Sequence, residues 1–549
     1  MTISWLRNHK KQVLLIATSA LFIFYAGLLF YKLASVPNLF IDEANYANEV
    51  ISFEHFGTDM HGLRYPIYFS SAWGQGQSIL YSLIARPIIK FFGFSFLTFR
   101  FPMVFLSLLL IGLICGYVLY ISKNYLATFL MMVIFVTSPG WFVMSRWVLD
   151  ANIAPVVLGL GLVSLLFSFS TRKRMSSLFS FFISALLVGL SAYGYIATWL
   201  YLPIFLVVLV SYLYRRSLLT FTSICQYFAI LFVLVLPLIY FAFSIFIKHI
   251  TQPVKFLWFD IPPLPQSRTS SLIDFSGNLL HTMVRNFLTG CQMFYQGSDG
   301  LSRNGTAPFG MIFPWLLVIF TTIAFLANKR LLPEKLMLLK NVCVIALVTF
   351  IPVALITTPN YTHWNLVAVP LIILCGLGTY VVVKNLPGYV WLVLLLLTVL
   401  LPMTNFVHQY FQPNSSYRTG NIRQFSMQNT KKINQFMENK TKSRLFTDPV
   451  SRNFAYFRVY QKPINHKQYL NLQEKKPEFS DRMGPIKRYG YLRNITELNS
   501  EYRAKYDYIL TISKEDAMRI EKRYGIRLKP VKNFHDGKLT YVLNKLSDK

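Results

Sequence analysis

The chain has 549 residues, 54% hydrophobic and only 14% charged, with a mean hydropathy of +0.43 and a net charge of +31. An ordinary soluble domain carries about 25% charged residues, so this balance excludes that class. Apolar runs of membrane-spanning length recur from residue 12 to residue 409, which makes the chain a multi-pass protein of the cell membrane.

The first run, from Gln12 to Leu33, is too long for a signal-peptide core, and no small-residue cleavage site follows it. It reads as a retained span. Basic clusters sit before it and in later short connections: Arg7/Lys10/Lys11, Arg172/Lys173/Arg174, Arg215/Arg216 and Lys329/Arg330. The positive-inside bias places all of them in the cytoplasm. Residues 76–92 are apolar enough to span, yet counting them would turn two of these clusters outward. They are therefore expected to form a re-entrant or interfacial helix in the first external segment, 36–97. The expected spans are 12–35, 98–120, 125–145, 151–170, 177–195, 199–214, 219–247, 309–327, 338–357, 364–384 and 388–409, eleven in all. The amino terminus is then cytoplasmic and the carboxyl terminus extracytoplasmic.

Directly after the first span stands Phe40-Ile41-Asp42-Glu43-Ala44-Asn45-Tyr46-Ala47. Carboxylates at a bilayer are costly unless they face water or do chemistry. Asp42 as a helix N-cap, with Glu43 in the first turn, suits the exposed amides and the dipole. A water-facing carboxylate beside a bound donor would instead take a proton from an acceptor hydroxyl. The two roles are compatible, because a cap fixes the carboxylate. Glu43 to Phe56 is expected as a helix lying on the membrane, with Ala44, Ala47, Val50 and Ile51 toward it. Ser145-Arg146-Trp147-Val148-Leu149-Asp150-Ala151-Asn152 supplies a second acid at a span mouth. Arg146 could pair with a carboxylate or hold a phosphate, which suits a guanidinium.

The loop 248–308 is long enough to be either functional or disordered, and His363 lies at another external span mouth, as a phosphate contact or a simple interfacial histidine. Asp59 and His61 could bind a sugar or, with a further acid, a divalent ion, although two ligands at i and i+2 are thin support for a metal. The five cysteines, Cys115, Cys225, Cys291, Cys343 and Cys375, give no disulfide framework. From residue 410 the hydropathy collapses, and this tail holds 29 Lys and Arg against 13 Asp and Glu, a surplus of 16 positive charges. Strands near Arg444–Thr447, Tyr506–Ile512, Ile526–Val531 and Leu539–Leu543, with a helix over Glu515–Tyr524, make it a small α/β domain. A basic domain outside the cell is drawn to anionic lipid or an anionic wall polymer, or carries its charge for solubility.

In order along the chain stand Asp42-Glu43, Gly57-Thr58-Asp59-Met60-His61-Gly62, Trp73-Gly74-Gln75-Gly76-Gln77-Ser78, Phe99-Arg100-Phe101-Pro102 and Ser138-Pro139-Gly140-Trp141. The Asp150 segment, Asp299-Gly300-Leu301 with Pro308-Phe309-Gly310, and Tyr361-Thr362-His363-Trp364-Asn365 follow. This set resembles the GT-C membrane glycosyltransferases, in particular bacterial members of the protein O-mannosyltransferase and aminoarabinose transferase group, over residues 36–380. The resemblance implies an enzyme that takes a sugar from a polyprenyl-phosphate donor on the external face. It implies a catalytic set of Asp42, Glu43 and Asp150, with Asp42 as base. Phosphate contacts would come from Arg146, His363 and Arg64, and sugar or acceptor contacts from Asp59, His61, Gln75, Gln77 and Asn152. The chain departs from the group in two places. It has Gln75-Gly76-Gln77 where aminoarabinose transferases carry a Lys-Pro pair, and His363-Trp364-Asn365 where many bacterial relatives have an Arg-Asn pair.

The resulting expectation is an α-helical polytopic membrane protein, with residues 1–409 as the catalytic part and 410–549 as a basic extracytoplasmic domain. The reaction is an inverting sugar transfer to a cell-wall or teichoic-type polymer or a glycolipid. Partners are the lipid-linked sugar, membrane lipid and an anionic envelope acceptor, with no nucleic acid; the residues establish no cofactor, and a divalent metal stays open. Two rival readings are a protein Ser/Thr acceptor and a non-catalytic flippase or transporter. Transporters place charges at the bilayer midplane, often in repeated halves, whereas here the acids sit at span mouths and no repeat is present.

Overall fold

A computed structural model describes residues 9–413 apart from 72–73, 172–173, 265–271, 302–303, 305–306 and 387–389. Beyond these it describes 415, 427–440, 445–447, 456, 459–460, 467, 489–491, 507–511, 513–536 and 539–547. Trp73, Arg172, Lys173 and Arg444 fall outside the described residues.

Eight described helices are long and apolar enough to cross a membrane. They are α1 (Lys10–Phe30), α4 (Phe96–Ser122), α7 (Asp150–Ser170), α9 (Ala197–Arg215), α10 (Phe221–Phe246), α13 (Glu334–Ile356), α14 (Ala368–Asn385, preceded by a 3-10 turn Asn365–Val367) and α15 (Val390–Phe411). A ninth is broken: α5 (Tyr125–Val136) and α6 (Pro139–Arg146) meet at 66°. All eleven expected spans fall on helices, but α8 (Arg174–Ser191) and α12 (Pro314–Leu326) are shorter apolar ones.

The break at 137–138 has a local cause. Pro139 brings no N–H to the ladder and starts a new helix at N1. Thr137 Oγ1 and Ser138 Oγ donate back to the carbonyls of Val133 and Ile134, at 2.7 and 2.6 Å. Gly140 then lets the chain pass close to Met311, accepting no side chain there: a Cβ would lie 2.7 Å from the Met311 Cα. The bend carries Arg146 back toward the end of α1.

The first external segment holds α2 (Ile41–Phe56) and α3 (Leu80–Phe92). The thirteen residues of α3 reach about 20 Å, as short as α12, but unlike α12 this helix carries Arg86 and Lys90, which fits the interfacial helix of the charge argument rather than a span. The expectation for α2 is corrected. It does not lie on a membrane with one apolar face, because Ala44, Ala47, Val50 and Ile51 are buried, and so are the polar residues on its other sides, Asn45, Asn48, Glu49 and Ser52. It is enclosed by protein, and Gly57 ends it in a left-handed cap at φ 64.

The loop after α10 contains a hairpin, β1 (Val254–Phe256) and β2 (Phe259–Ile261), and an amphipathic helix α11 (Leu279–Gln296). In the tail, α16 (Met427–Glu438) precedes a five-stranded sheet. Its strands are β3 (Leu445–Thr447), β4 (Tyr489–Tyr491), β5 (Tyr508–Thr511), β6 (Arg527–Asp536) and β7 (Leu539–Ser547), in the order β4-β3-β5-β7-β6. The pairs β3–β4 and β3–β5 are parallel and the other two antiparallel, with α17 (Lys514–Tyr524) between β5 and β6. The small α/β pattern read from the tail is present, with β6 and β7 longer than expected. The ring of Tyr460 lies 6.1 Å from that of Phe96, at the α4 end nearest α2.

Between spans the packing relies on small residues, since lipid supplies little drive for helix association. A Cβ on Gly378 of α14 would stand 1.8 Å from the Phe320 carbonyl oxygen of α12, and one on Gly376 would stand 2.7 Å from the Met131 sulfur of α5. Backbone cannot yield as a thioether can. Gly378→Val should therefore prevent accumulation of folded protein, whereas Gly376→Ala should fold with a stability loss of about 1–3 kcal/mol. Size-exclusion profiles and thermal melts of detergent-solubilised protein distinguish these outcomes; equal behaviour of the two variants would refute the packing argument.

Candidate active site

The site is built around the start of α2. Phe40, not Asp42, is the N-cap; its ring meets Trp147 edge-on at 5.4 Å. Asp42 and Glu43 both lie in the first turn, where the helix dipole favours negative charge. From Ile41 to Phe53, every residue but Asp42 is buried. Asp42 alone among them reaches the surface.

Glu43, expected as part of the catalytic set, has a different task. Its carboxylate is fully buried and accepts from Arg100 Nε and Nη2 at 2.7 and 2.6 Å, a two-pronged pair with no exposure on either side. Arg100 Nη1 also donates to the Leu33 carbonyl at 2.9 Å, and the Val148 amide reaches Glu43 Oε1 at 3.4 Å. The pair thus ties α2, α4, the end of α1 and the segment before Asp150 together. Arg100 was absent from the expected site, although a cation inside an apolar run is itself a signal.

Arg146 is also corrected. It is buried, Nη1 donates to the carbonyls of Leu28 (3.0 Å) and Leu29, and Nη2 to those of Tyr31 and Val36 at 2.8 Å each. These are the orphan carbonyls at and beyond the α1 terminus. The rings of Phe142, Tyr410 and Phe411 lie 5.1–5.5 Å from its guanidinium carbon. All four terminal N–H groups are engaged by backbone, so no phosphate role is carried forward for it.

Asp150 opens α7, is 9% exposed, and accepts from the Ala151 amide at 2.8 Å. It stands close enough to Tyr46, one turn beyond Asp42 on α2, to influence that hydroxyl. Burial pushes the Tyr46 hydroxyl up, and the Asp150 carboxylate adds to the push against a hydrogen bond from Ser78. The segment leading to Asp150 packs on the start of α2, through Trp147 on Phe40 and the Val148 amide at Glu43. Asn152 Nδ2 donates to the Trp147 carbonyl at 2.9 Å, while its Oδ1 accepts from Asn365 Nδ2 at 3.2 Å. Asn152 thus joins the span mouths of α7 and α14.

The loop after α2 arranges the remaining candidates. Asp59 is buried, and its Oδ1 accepts from the amides of His61 and Leu63 at 2.9 Å each. Glu49 Oε2 accepts from the Met60 amide at 2.8 Å. His61 is half-buried with Nε2 3.0 Å from the Ser71 carbonyl. Gln77 Oε1 accepts from Asn45 Nδ2 at 3.1 Å, while Gln75 is half-buried and Arg64 exposed. Among the described residues no three His, Cys, Asp or Glu side chains gather as a metal site.

His363 is held in a tight turn. Its Nδ1 lies 2.8 Å from the Thr358 carbonyl and 2.9 Å from Asn360 Nδ2, and its amide donates to Asn360 Oδ1 at 2.7 Å. Asp299 braces this turn from the long loop: Oδ2 accepts from the Tyr361 amide at 3.0 Å and from Asn304 Nδ2 at 2.5 Å. Two motifs sixty residues apart thereby become one unit, which no local pattern announces.

No family model and no curated protein matches the chain. Solved structures do. ArnT from Cupriavidus metallidurans bound to undecaprenyl phosphate aligns over 96% of this chain and 97% of its own, at 11% identity and a TM-score of 0.53. The chain has that fold. The same protein in its apo state aligns over 96% and 97% at 14% identity with a TM-score of 0.44. The mycobacterial arabinofuranosyltransferase AftD aligns over 98% of this chain and 40% of its own, at 12% identity and a TM-score of 0.42. That fold covers both the spans and the tail.

Proposed function

We propose that the protein is an inverting glycosyltransferase acting on a polyprenyl-phosphate-linked sugar at the outer face of the cytoplasmic membrane. The observation that carries this reading is Asp42. It is the one residue of the stretch Ile41–Phe53 that is not buried, on the helix against which the segment leading to a second acid, Asp150, packs, while its neighbour Glu43 is paired with Arg100. In the reaction, Asp42 takes the proton of an acceptor hydroxyl as its oxygen attacks the anomeric carbon. The bond from that carbon to the phosphate oxygen breaks on the opposite side, and polyprenyl phosphate leaves. His363, oriented by Thr358 and Asn360, and exposed Arg64 are the residues assigned to the phosphate. Asp59, His61, Gln75 and Gln77 line the assigned sugar or acceptor side. The basic tail, on the side of Phe96, presents an anionic envelope polymer or glycolipid.

Mass spectrometry of wall polymers, glycolipids and secreted proteins from cells with and without the gene tests the reading. One envelope component should lose a single sugar; identical profiles would sink it, and a loss confined to secreted proteins would move the acceptor to Ser/Thr. The orientation is checked separately with single cysteines in a background lacking the five native ones. An impermeant reagent on intact cells should label Ser276→Cys and spare Arg216→Cys, and the reverse result would put the site on the cytoplasmic side.

A further inference from the structure

The β1–β2 hairpin pairs Phe256 with Phe259, leaving Leu257 and Trp258 as a two-residue turn. Such turns ordinarily use Asn and Gly, because they demand left-handed backbone. Here Leu257 sits at φ 56, where a branched apolar side chain is strained. Nor is the strain offset by burial: Leu257 is 67% and Trp258 71% exposed. A strained turn that projects its two largest apolar groups outward has no account within the protein itself.

Its surroundings identify what covers it. The hairpin is continuous with α10, since the rings of Phe256 and Tyr240 stack at 4.4 Å. That end of α10 exposes Phe243, Phe246 and Ile247, the surface of a span that lipid covers. Lys248 lies over the Tyr240 and Phe243 rings, and Lys255 is exposed on β1. Apolar groups with tryptophan at the tip and lysines behind are the composition of a bilayer's interfacial zone, where indole rings settle and ammonium groups reach phosphates.

We propose that the Leu257–Trp258 turn is a membrane anchor, seated in the interfacial region of the leaflet on the Asp42 side. This stands on the membrane-spanning character of α10 and not on the transferase reading. Its consequence for the site runs through Asp260 on β2. Asp260 Oδ2 accepts from the Arg64 amide at 2.8 Å, its own amide donates to the Arg64 carbonyl at 3.2 Å, and its carbonyl accepts from Ile67 at 3.4 Å. The anchor therefore sets the height above the lipid of the loop that carries Asp59 and His61.

The test places an environment-sensitive fluorophore on Leu257→Cys, in the full chain lacking the five native cysteines, in vesicles of phosphatidylethanolamine and phosphatidylglycerol. Phospholipids spin-labelled near the headgroup should quench it several-fold more than aqueous iodide does, with the order reversed for Ser276→Cys. Iodide quenching equal to that at position 276 overturns the anchor, as does protection from both quenchers with cross-linking to a second copy. The unsubstituted chain gives an independent reading. A phospholipid with a photoreactive group near its headgroup should form adducts within residues 254–261, and adducts on α10 with none there would also overturn it.

Discussion

Asp42→Asn should cut sugar transfer by at least ~100-fold, the usual contribution of a positioned base, while the protein still folds. The substitution keeps the size of the side chain and removes only its basicity. Phe40 holds the N-cap position, so the substitution leaves the cap residue itself untouched. Loss of a favourable charge in the first turn costs about 0.3–1 kcal/mol. Transfer measured on purified enzyme with a polyprenyl-phosphate sugar, alongside a thermal melt, separates chemistry from folding. Near-normal turnover in a stable Asp42→Asn enzyme would remove the base from the mechanism. Asp150→Asn should also be severe, since the segment leading to Asp150 packs on the start of α2.

Arg100→Ala should show the opposite profile, with stability failing first. The Glu43 carboxylate would be left with no cation in a site with no exposure, and removing one partner of a buried pair costs about 3–5 kcal/mol. Glu43→Gln leaves the complementary orphan, a buried guanidinium still bonded to the Leu33 carbonyl, and should be destabilising too. The double variant Glu43→Gln/Arg100→Met should recover part of the loss, because neither charge then remains unpaired. Melting temperatures of the parent, Glu43→Gln, Arg100→Met and the double variant in one detergent form the cycle. Additive losses in the double variant would mean that the pair is not the link tying α2 to α4. Transfer by the single variants should fall in proportion to the folded fraction lost and to any displacement of Asp42, whereas Asp42→Asn loses transfer without unfolding.

Much of this architecture is written locally. Each span is a run of about twenty apolar residues; basic connections bear on sidedness, and the tail declares itself by a drop in hydropathy and by short alternating strands. The sequence by itself therefore determined the helical membrane class, the approximate spans, the mixed tail domain and the placement of Asp42 and Asp150 at span mouths. It did not reveal that the span over 125–145 breaks at Pro139, because apolar composition continues across the break while the missing amide and the Gly140–Met311 approach act only in three dimensions. Nor could it divide the labour among the charged residues. Glu43 and Arg100 are 57 positions apart, and Arg146 reaches carbonyls more than a hundred positions before it. Adjacent acids of identical chemistry became one surface-facing candidate base and one buried structural anion. Tertiary structure alone decided that, because burial and the position of a distant guanidinium, not residue type or spacing, set what a carboxylate in a membrane protein is able to do.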